Sequence, residues 1–232
     1  MAKLRTLSGG APKDVFLKLT PQFERLSGHG VDYVFAVMSS LREMVAAGDA
    51  ADVLVMPTNI LDAYQKDSIA RAQGRAVLGL VSINAAVRAG APKPDLSTPD
   101  TVKRAILAAR AIAHATPGET PSGTHMGKLI ERLGIADAMK GKIIHRSALR
   151  GGIEAVSSGE ADIGFYPKSE VLDPRLDLVG PLPAEIQLTT IYGAAVTAKS
   201  AAPEAGAAFV AFMANPKNCA VWTAGGFDPP MK

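Results

Sequence analysis

The chain has 232 residues, of which 47% are hydrophobic and 20% are charged, and this composition predicts a globular protein rather than a disordered one. Its 25 basic and 22 acidic residues nearly balance, and no dense basic stripe occurs, so we expect no nucleic-acid partner. No apolar run reaches the roughly 18 residues that a membrane-spanning helix needs. The length suffices for one large domain or two modest ones.

Strands and helices are predicted to alternate along the first third of the chain. The hydrophobic pattern and the turn residues predict strands at 3–8, 31–36 and 52–56, and helices at 12–26, 40–47 and 60–66. Pro21 lies inside the first of these helices and predicts a bend there. Ser40 and Glu43 fit a capping box at the start of the second helix, and Gly48 fits its end.

The pattern changes after residue 75. A β-rich run at 76–88 is followed by the turn-rich segment 89–100, which is typical of a chain passing from one lobe to another. The remaining pattern predicts helices at 98–109, 122–133, 151–158, 203–213 and 216–224, and strands at 111–115, 143–145, 162–166 and 186–197. The sequence therefore predicts an α/β protein with two lobes, residues 1–82 plus 190–232 and residues 83–189.

Four of the predicted strand-to-helix turns are rich in serine and glycine, and two of them belong to each lobe. They are Ser8-Gly9-Gly10-Ala11, Met38-Ser39-Ser40, Pro121-Ser122-Gly123-Thr124 and Leu149-Arg150-Gly151-Gly152. Ligands of open α/β sheets bind beyond the carboxyl ends of the strands, where helix N-termini stabilise anions. The alternative is that each turn is only a tight turn or a helix cap.

The sequence contains no recognisable nucleotide-binding or metal-binding motif. Neither Gly-x-Gly-x-x-Gly nor Gly-x4-Gly-Lys-Ser/Thr occurs, and the four histidines lack the spacing of metal ligands. We therefore expect no cofactor and no metal. Cys219, the single cysteine, lies in an apolar stretch and is expected to be buried as a small hydrophobe.

Four segments resemble a known family. GDAADVLVMP, SGTHMGKLIERLGIADAMKGKII, SSGEADIGFYPKSEVL and LVGPLPAEIQLTTIYGAAV are similar, in order, to segments of the periplasmic molybdate-binding proteins, in a broader branch of extracellular solute-binding proteins. The resemblance covers essentially the whole chain. It implies a two-lobed fold of the periplasmic-binding-protein type, with an oxyanion in a cleft between the lobes and ligand groups from the four turns plus a tyrosine.

Transferring this pattern residue by residue changes the expected ligand. Ala11 stands where molybdate binders supply a serine hydroxyl, and Tyr166 lies one position before the expected aromatic residue. Ser39 and Ser122 keep hydroxyls in the second and third turns, and the fourth turn offers Leu149. These departures disfavour molybdate and leave the two-lobed cleft intact.

Three side chains near the turns, His125, Arg150 and Lys168, would suit a larger anion that carries carboxylates. The predicted ligand-binding set is Ser8, Gly9, Gly10, Ala11, Met38, Ser39, Ser122, Gly123, His125, Leu149, Arg150, Tyr166 and Lys168. Aconitate isomerase resembles the same family, so the alternative to simple binding is proton transfer on a tricarboxylate in the same cleft. For that chemistry the candidates are His125, Tyr166, Lys168 and Arg150, and none is assigned a catalytic role.

The expected function is therefore that of a solute-binding protein that holds a small anion by hinge closure. Such a protein serves a membrane permease of the ABC type, and we expect it to be a monomer. Residues 1–3 run directly into the first strand without a signal peptide. The expected location is periplasmic if an export signal has been removed, and cytoplasmic otherwise.

Overall fold

The computed structural model describes residues 1–230. They form two compact units, residues 1–81 with the residues from 190 onward, and residues 82–189. The strands β1–β9 are Lys3–Ser8, Gly30–Phe35, Val53–Pro57, Ala70–Arg88, Ile112–His114, Ile143–His145, Ile163–Pro167, Leu176–Pro181 and Thr189–Thr197. The helices α1–α8 are Lys13–Ser27, Met38–Ala46, Thr58–Lys66, Pro99–Ala108, Pro121–Arg132, Gly152–Ser157, Pro203–Met213 and Cys219–Ala224. The sequence analysis placed Ser82 in the first lobe, whereas the structure places it in the second unit.

The sheet of the first unit has the strand order β2-β1-β3-β9, continued by β4. β1 runs parallel to β2 and β3, whereas β9 runs antiparallel to β3. The last residues of the parallel strands therefore lie along one edge, where Ser8 is in register with Phe35. Tyr192 of β9 reaches the same edge because it is in register with Pro57, the last residue of β3.

Helices cover both faces of this sheet. On one face, Phe16 of α1 meets Phe209 of α7 and Trp222 of α8 edge to face, with ring centroids 5.9 and 5.8 Å apart. Such aromatic pairs contribute about 0.5–1.5 kcal/mol each beyond their burial. On the other face, α2 and α3 bury Leu41 and Leu61. The carboxyl edge that carries the turns is thus held between two packed layers of helix.

The sheet of the second unit has the order β4-β7-β5-β6, and β8 also pairs with β4. β5 runs parallel to β6 and β7, so His114, His145 and Pro167 end their strands at a shared edge. α5 follows β5 along the chain, and α6 follows β6. The two predicted turns of this unit therefore lie at its carboxyl edge, as they do in the first unit.

Three predicted helix starts lie one or two residues too late, because α2, α3 and α5 begin at residues 38, 58 and 121 and not at 40, 60 and 122. α2 begins at Met38, after Val37, without a side-chain cap, so Ser40 lies inside the helix and forms no capping box. α5 begins at Pro121 and is capped by Thr120, whose Oγ1 accepts a hydrogen bond from the backbone N–H of Gly123. Both α2 and α5 therefore begin before the serine, Ser40 or Ser122, at which the sequence pattern predicted the helix to start.

The C-terminal half also departs from the prediction in three places. Strand β8 was not predicted, and the β-rich run expected from residue 186 is a strand only from Thr189 onward. Cys219 is exposed rather than buried. It opens the short helix α8, which turns Trp222 toward the core instead. Within residues 1–230, no helix combines the length and apolarity that crossing a membrane requires.

Candidate functional site

The turn after β1 is tightly packed. Ser8 is fully buried, and its hydroxyl donates to the Gly9 carbonyl at 3.0 Å. The Gly9 backbone N–H donates to the carbonyl of Val55 at 3.1 Å. A Cβ at Gly9 would lie 3.2 Å from the Met38 methyl carbon and 3.2 Å from the Tyr192 hydroxyl. An added side chain would therefore crowd both neighbours, which would have to move by a few tenths of an ångström.

The other predicted members in the first unit differ in what they offer to a ligand. Ala11 is buried and carries no polar side-chain group, and Met38 is buried as well. Ser39 and Ser40 are half-buried in the first turn of α2, next to its backbone N–H groups. A helix N-terminus carries positive partial charge, so these hydroxyls lie where an anion is stabilised.

Sequence reasoning missed two residues at this edge, Lys13 and Tyr192. The Lys13 ammonium lies 5.9 Å from the centroid of the Phe35 ring, at the end of β2. Tyr192 packs over Gly9, as its contact distance shows. Both residues lie near features that the sequence analysis singled out. Lys13 follows Gly10 by three positions, and Tyr192 lies within the quoted segment LVGPLPAEIQLTTIYGAAV.

In the second unit, the turn before α5 is built on hydrogen bonds between its own residues. The hydroxyls of Thr120 and Ser122 share a hydrogen bond at 3.2 Å, and Ser122 is buried. Gly123 packs directly on the backbone, because a Cβ there would collide with the carbonyl of Ala115 and lie 2.7 Å from that of Thr116. The first turn of α5 is thereby fixed against the end of β5.

The turn after β6 is organised around Ser147. Its carbonyl accepts hydrogen bonds from the backbone N–H groups of Arg150 and Gly152 at 2.9 and 3.0 Å. Its hydroxyl is buried and has no partner among residues 1–230. Leu149 is half-buried, and the exposed Arg150 guanidinium pairs with Glu119 at 3.0 Å.

Tyr166 is part of the packing beneath this turn. The side chain is fully buried, and its hydroxyl donates to the Arg146 carbonyl at 2.9 Å. It also packs against Gly152, where a Cβ would collide with the phenolic oxygen. Burial raises the pKa of Tyr166 well above its ordinary value, so the phenol stays protonated.

His125 and Lys168 lie at two further positions of the second unit. The Nε2 atom of His125 lies 2.8 Å from the carbonyl oxygen of Ile186. A carbonyl accepts only, so the proton is on Nε2 and Nδ1 is the basic nitrogen. Lys168 is half-buried in a 3-10 turn directly after β7. Within residues 1–230, no three His, Cys, Asp or Glu side chains are grouped to hold a metal ion.

Two neighbouring histidines end strands β5 and β6, the buried His114 and the exposed His145. His114 and His145 are in register, and their ring centroids lie 4.9 Å apart at an interplanar angle of 84°. The Nδ1 atom of His114 bonds to the Ala115 carbonyl at 2.8 Å, whereas its buried Nε2 has no partner in the described chain. The pKa of His114 is lowered to about 4, chiefly by burial and to a smaller extent by the neighbouring His145, while the hydrogen bond to the Ala115 carbonyl acts in the opposite direction.

Comparison with known proteins places this arrangement in a family. The model of a family described as bacterial extracellular solute-binding protein matches residues 4–228, and the chain belongs to that family. It is also 29% identical to an aconitate isomerase from Pseudomonas sp over 219 residues, which cover 91% of this chain and 82% of the relative.

Two solved structures are similar across nearly the whole chain. The periplasmic molybdate-binding protein of Azotobacter vinelandii has a TM-score of 0.82 and 20% identity, covering 98% of this chain and 100% of the other. The sulfate-binding protein SubI from Mycobacterium tuberculosis H37Rv has a TM-score of 0.79 and 16% identity, covering 99% and 87%. These matches confirm the predicted resemblance and the α/β fold of the two-lobed periplasmic-binding-protein type.

The close contact at Gly123 gives a test of the turn before α5. In Gly123→Ala, the added methyl would meet backbone oxygens that cannot rotate away, so we expect the free energy of unfolding to fall by about 1–3 kcal/mol. Gly30→Ala is the control, because a Cβ there would make only ordinary contacts, 3.7 Å from a Lys3 side-chain carbon and 3.9 Å from a Glu24 carboxylate oxygen. Urea denaturation measures both, and equal stability of the two variants would contradict the packing described here.

The buried His114 predicts a specific dependence of stability on pH. Its pKa is lower in the folded than in the unfolded chain, so the unfolded chain binds the extra proton as the pH falls from about 6.5 to about 4. Stability is therefore fully present above pH 6.5 and declines through this window, by up to about 3 kcal/mol from this group. Denaturation curves of His114→Gln should show a shallower decline than those of the wild type. Identical slopes for His114→Gln and wild type would show that His114 is not the titrating group.

Proposed function

We propose that this protein binds a small anion, a carboxylate or a related oxyanion, as the solute-binding component of an ABC-type transporter. The observation that supports it most is the position of the helix starts. In each unit, helices begin at the carboxyl edge of the parallel strands, at α1 and α2 in the first and at α5 in the second. Their N-terminal backbone N–H groups stabilise negative charge without a fixed cation. Membership of the solute-binding family agrees with this use.

The side chains at these turns favour a carboxylate over molybdate. Ala11 offers no hydroxyl, and the Tyr166 hydroxyl is already engaged by a backbone carbonyl. The Arg150 guanidinium can be reached by a ligand, because its ion pair with Glu119 lies at the surface. The exposed fractions of the two side chains are 56% for Arg150 and 24% for Glu119. Exposed ion pairs contribute little to stability, so a ligand carboxylate can take the place of Glu119 at small cost.

The partners and the location follow from the same proposal. We expect a membrane permease as the partner, a monomeric binding protein, and a periplasmic site of action. A ligand held between the two lobes by hinge closure stays a prediction. It is tested by solution scattering, in which saturating ligand should reduce the radius of gyration.

A second candidate function is isomerisation of a tricarboxylate such as aconitate. It is favoured by the 29% identity with the aconitate isomerase over 91% of this chain. Of the candidate groups, Tyr166 is not available as a base, because burial raises its pKa and keeps the phenol protonated, whereas His125 offers Nδ1. Proton transfer would then depend on His125, with Lys168 or Arg150 stabilising the negative charge of the intermediate.

The binding proposal predicts which ligands stabilise the protein. At 100 times its Kd, a ligand adds about 2.7 kcal/mol to the free energy of unfolding, which a thermal-shift screen detects. We expect di- or tricarboxylates to act at lower concentration than molybdate, tungstate or sulfate.

The proposed role of Arg150 has its own test. Calorimetry on Arg150→Ala should show affinity for the ligand reduced by more than about tenfold, because a ligand charge loses its partner. Arg175→Ala is the matched control, since Arg175 is also exposed and paired, with Asp173 at 2.7 Å. Submicromolar molybdate binding with inert carboxylates would overturn the ligand class.

The isomerase alternative has a separate readout. NMR of cis-aconitate in deuterated buffer follows both interconversion and incorporation of deuterium at the exchanged carbon. Binding without catalysis predicts neither signal above the buffer rate. Turnover by wild type that is lost in His125→Gln, with ligand affinity retained, would establish the isomerase instead.

A further inference from the structure

We propose that the second unit carries a further ligand site, which takes a small amphipathic carboxylate and lies at the edge of the sheet opposite to the strand-to-helix turns. The site is a cavity of about 400 Å³ that residues of the second unit alone line. It lies at the amino edge, because it contacts Ile163, the first residue of β7, and Val87 and Arg88, the last residues of the antiparallel β4. This inference goes beyond the proposed function, since it concerns a different edge of the sheet.

The floor of the cavity is apolar. Val87, Ala109, Ala161 and Ile163 line it, and each of them is at most 6% exposed. Ligand pockets in proteins have volumes of about 300–1,000 Å³ and combine an apolar lining with a few polar groups. Covering this floor with an apolar part of a ligand would remove hydrophobic surface from water, which favours binding.

Positive charge converges on one wall of the cavity, at Gly159. The Arg110 Nη2 donates to the Gly159 carbonyl at 3.2 Å, and a Cβ placed at Gly159 would lie 3.7 Å from the Arg88 Nη1. Two guanidinium groups therefore lie beside the same glycine, and Lys93 lines the cavity as a third cation. Like charges near one another repel, so an anionic group at this wall would be stabilised, and a guanidinium pairs with a carboxylate through two hydrogen bonds.

The acids around the cavity do not balance this charge. Asp162 is the single acid among the described residues that line it, and Arg110 engages both of its oxygens, with the backbone N–H at 2.7 Å and Nε at 3.1 Å. Three cations against one carboxylate leave an excess of two positive charges in the lining. Further acids close by in the sequence have other partners: Asp95 accepts from the Ser97 N–H, Asp177 accepts from the Gly90 N–H, and Glu160 pairs with Arg146.

The apolar floor and the charged wall together select one class of ligand. An inorganic anion would use the arginines and leave the floor in water, whereas a neutral hydrocarbon would cover the floor and leave the arginines unused. A carboxylate with a short alkyl or aryl group uses both. Pro92 and Pro94, in the loop between β4 and α4, restrict the backbone of the cavity wall, so less conformational entropy is lost when a ligand binds.

The experiment follows the backbone amide NMR signals of the isotope-labelled full chain during titration with hexanoate, hexanol and sulfate. We expect hexanoate to shift the amide signals of Ala109, Gly159 and Ile163, which line the cavity. Hexanol and sulfate should each bind there at least about tenfold more weakly, because hexanol lacks the charge that the arginines pair with and sulfate lacks the apolar group.

Two variants test the floor and the wall separately. Arg88→Met removes one guanidinium at an exposed position and should weaken hexanoate binding about tenfold. Ala108→Phe, at an exposed position that ends α4, adds a ring to the lining and should block the cavity. The matched controls are Arg104→Met and Leu107→Phe, because both residues are exposed on the same helix and neither lines the cavity. They should bind hexanoate as the wild type does.

Each other outcome overturns a stated part of the proposal. Hexanoate shifts confined to the turns at Gly9, Ser39 and Gly123 would overturn the site itself, and the proposed anion site would stand. Equal affinity for hexanol or for sulfate would overturn the amphipathic carboxylate as the ligand class. Unchanged hexanoate affinity in both Arg88→Met and Ala108→Phe, with melting temperatures equal to that of the wild type, would show that the cavity is not where hexanoate binds.

Discussion

Parallel strand pairing is the constraint on which the rest of this structure depends. Strands that run parallel must end at the same edge, so each sheet collects its strand-to-helix turns on one side. The helices that follow begin there and point their unpaired N–H groups away from the sheet. A positive potential at the carboxyl edge of each unit is thus a property of the backbone. It does not require a particular side chain.

Several polar side chains at these edges already form hydrogen bonds within the protein, which limits what they can offer to a ligand. Ser8 donates to a backbone carbonyl, Tyr166 does the same, and Ser122 shares its hydrogen bond with Thr120. Gly123 lies so close to a backbone carbonyl that no side chain fits there. A count of hydroxyls in the turns therefore overstates the number that can reach an anion, and the buried, unpartnered Ser147 hydroxyl is an exception in the described chain.

Lys13, at the carboxyl edge of the first unit, has a different kind of partner from several cations elsewhere on the surface. The exposed pairs Lys3–Asp32 and Arg175–Asp173 place each cation beside a carboxylate. Lys13 lies instead over an aromatic ring, at the positive end of its own helix. The attraction of the ammonium to the Phe35 ring and the acidic Asp14 in the same turn offset the unfavourable interaction with the helix dipole.

The sequence by itself determined the alternation of strands and helices, the four small-residue turns and the family, because hydrophobic period, turn residues and contiguous segments are local signals. It did not determine β8, the exposure of Cys219, or that Thr120 rather than Ser122 caps α5. Those outcomes depend on which residues meet across the fold. The same reason applies to the site: Tyr192 reaches Gly9 only through the antiparallel pairing of β9 with β3, and Lys13 reaches Phe35 only through the register of β1 with β2. Tertiary contacts decided these positions, since no local pattern records the partner of a distant strand.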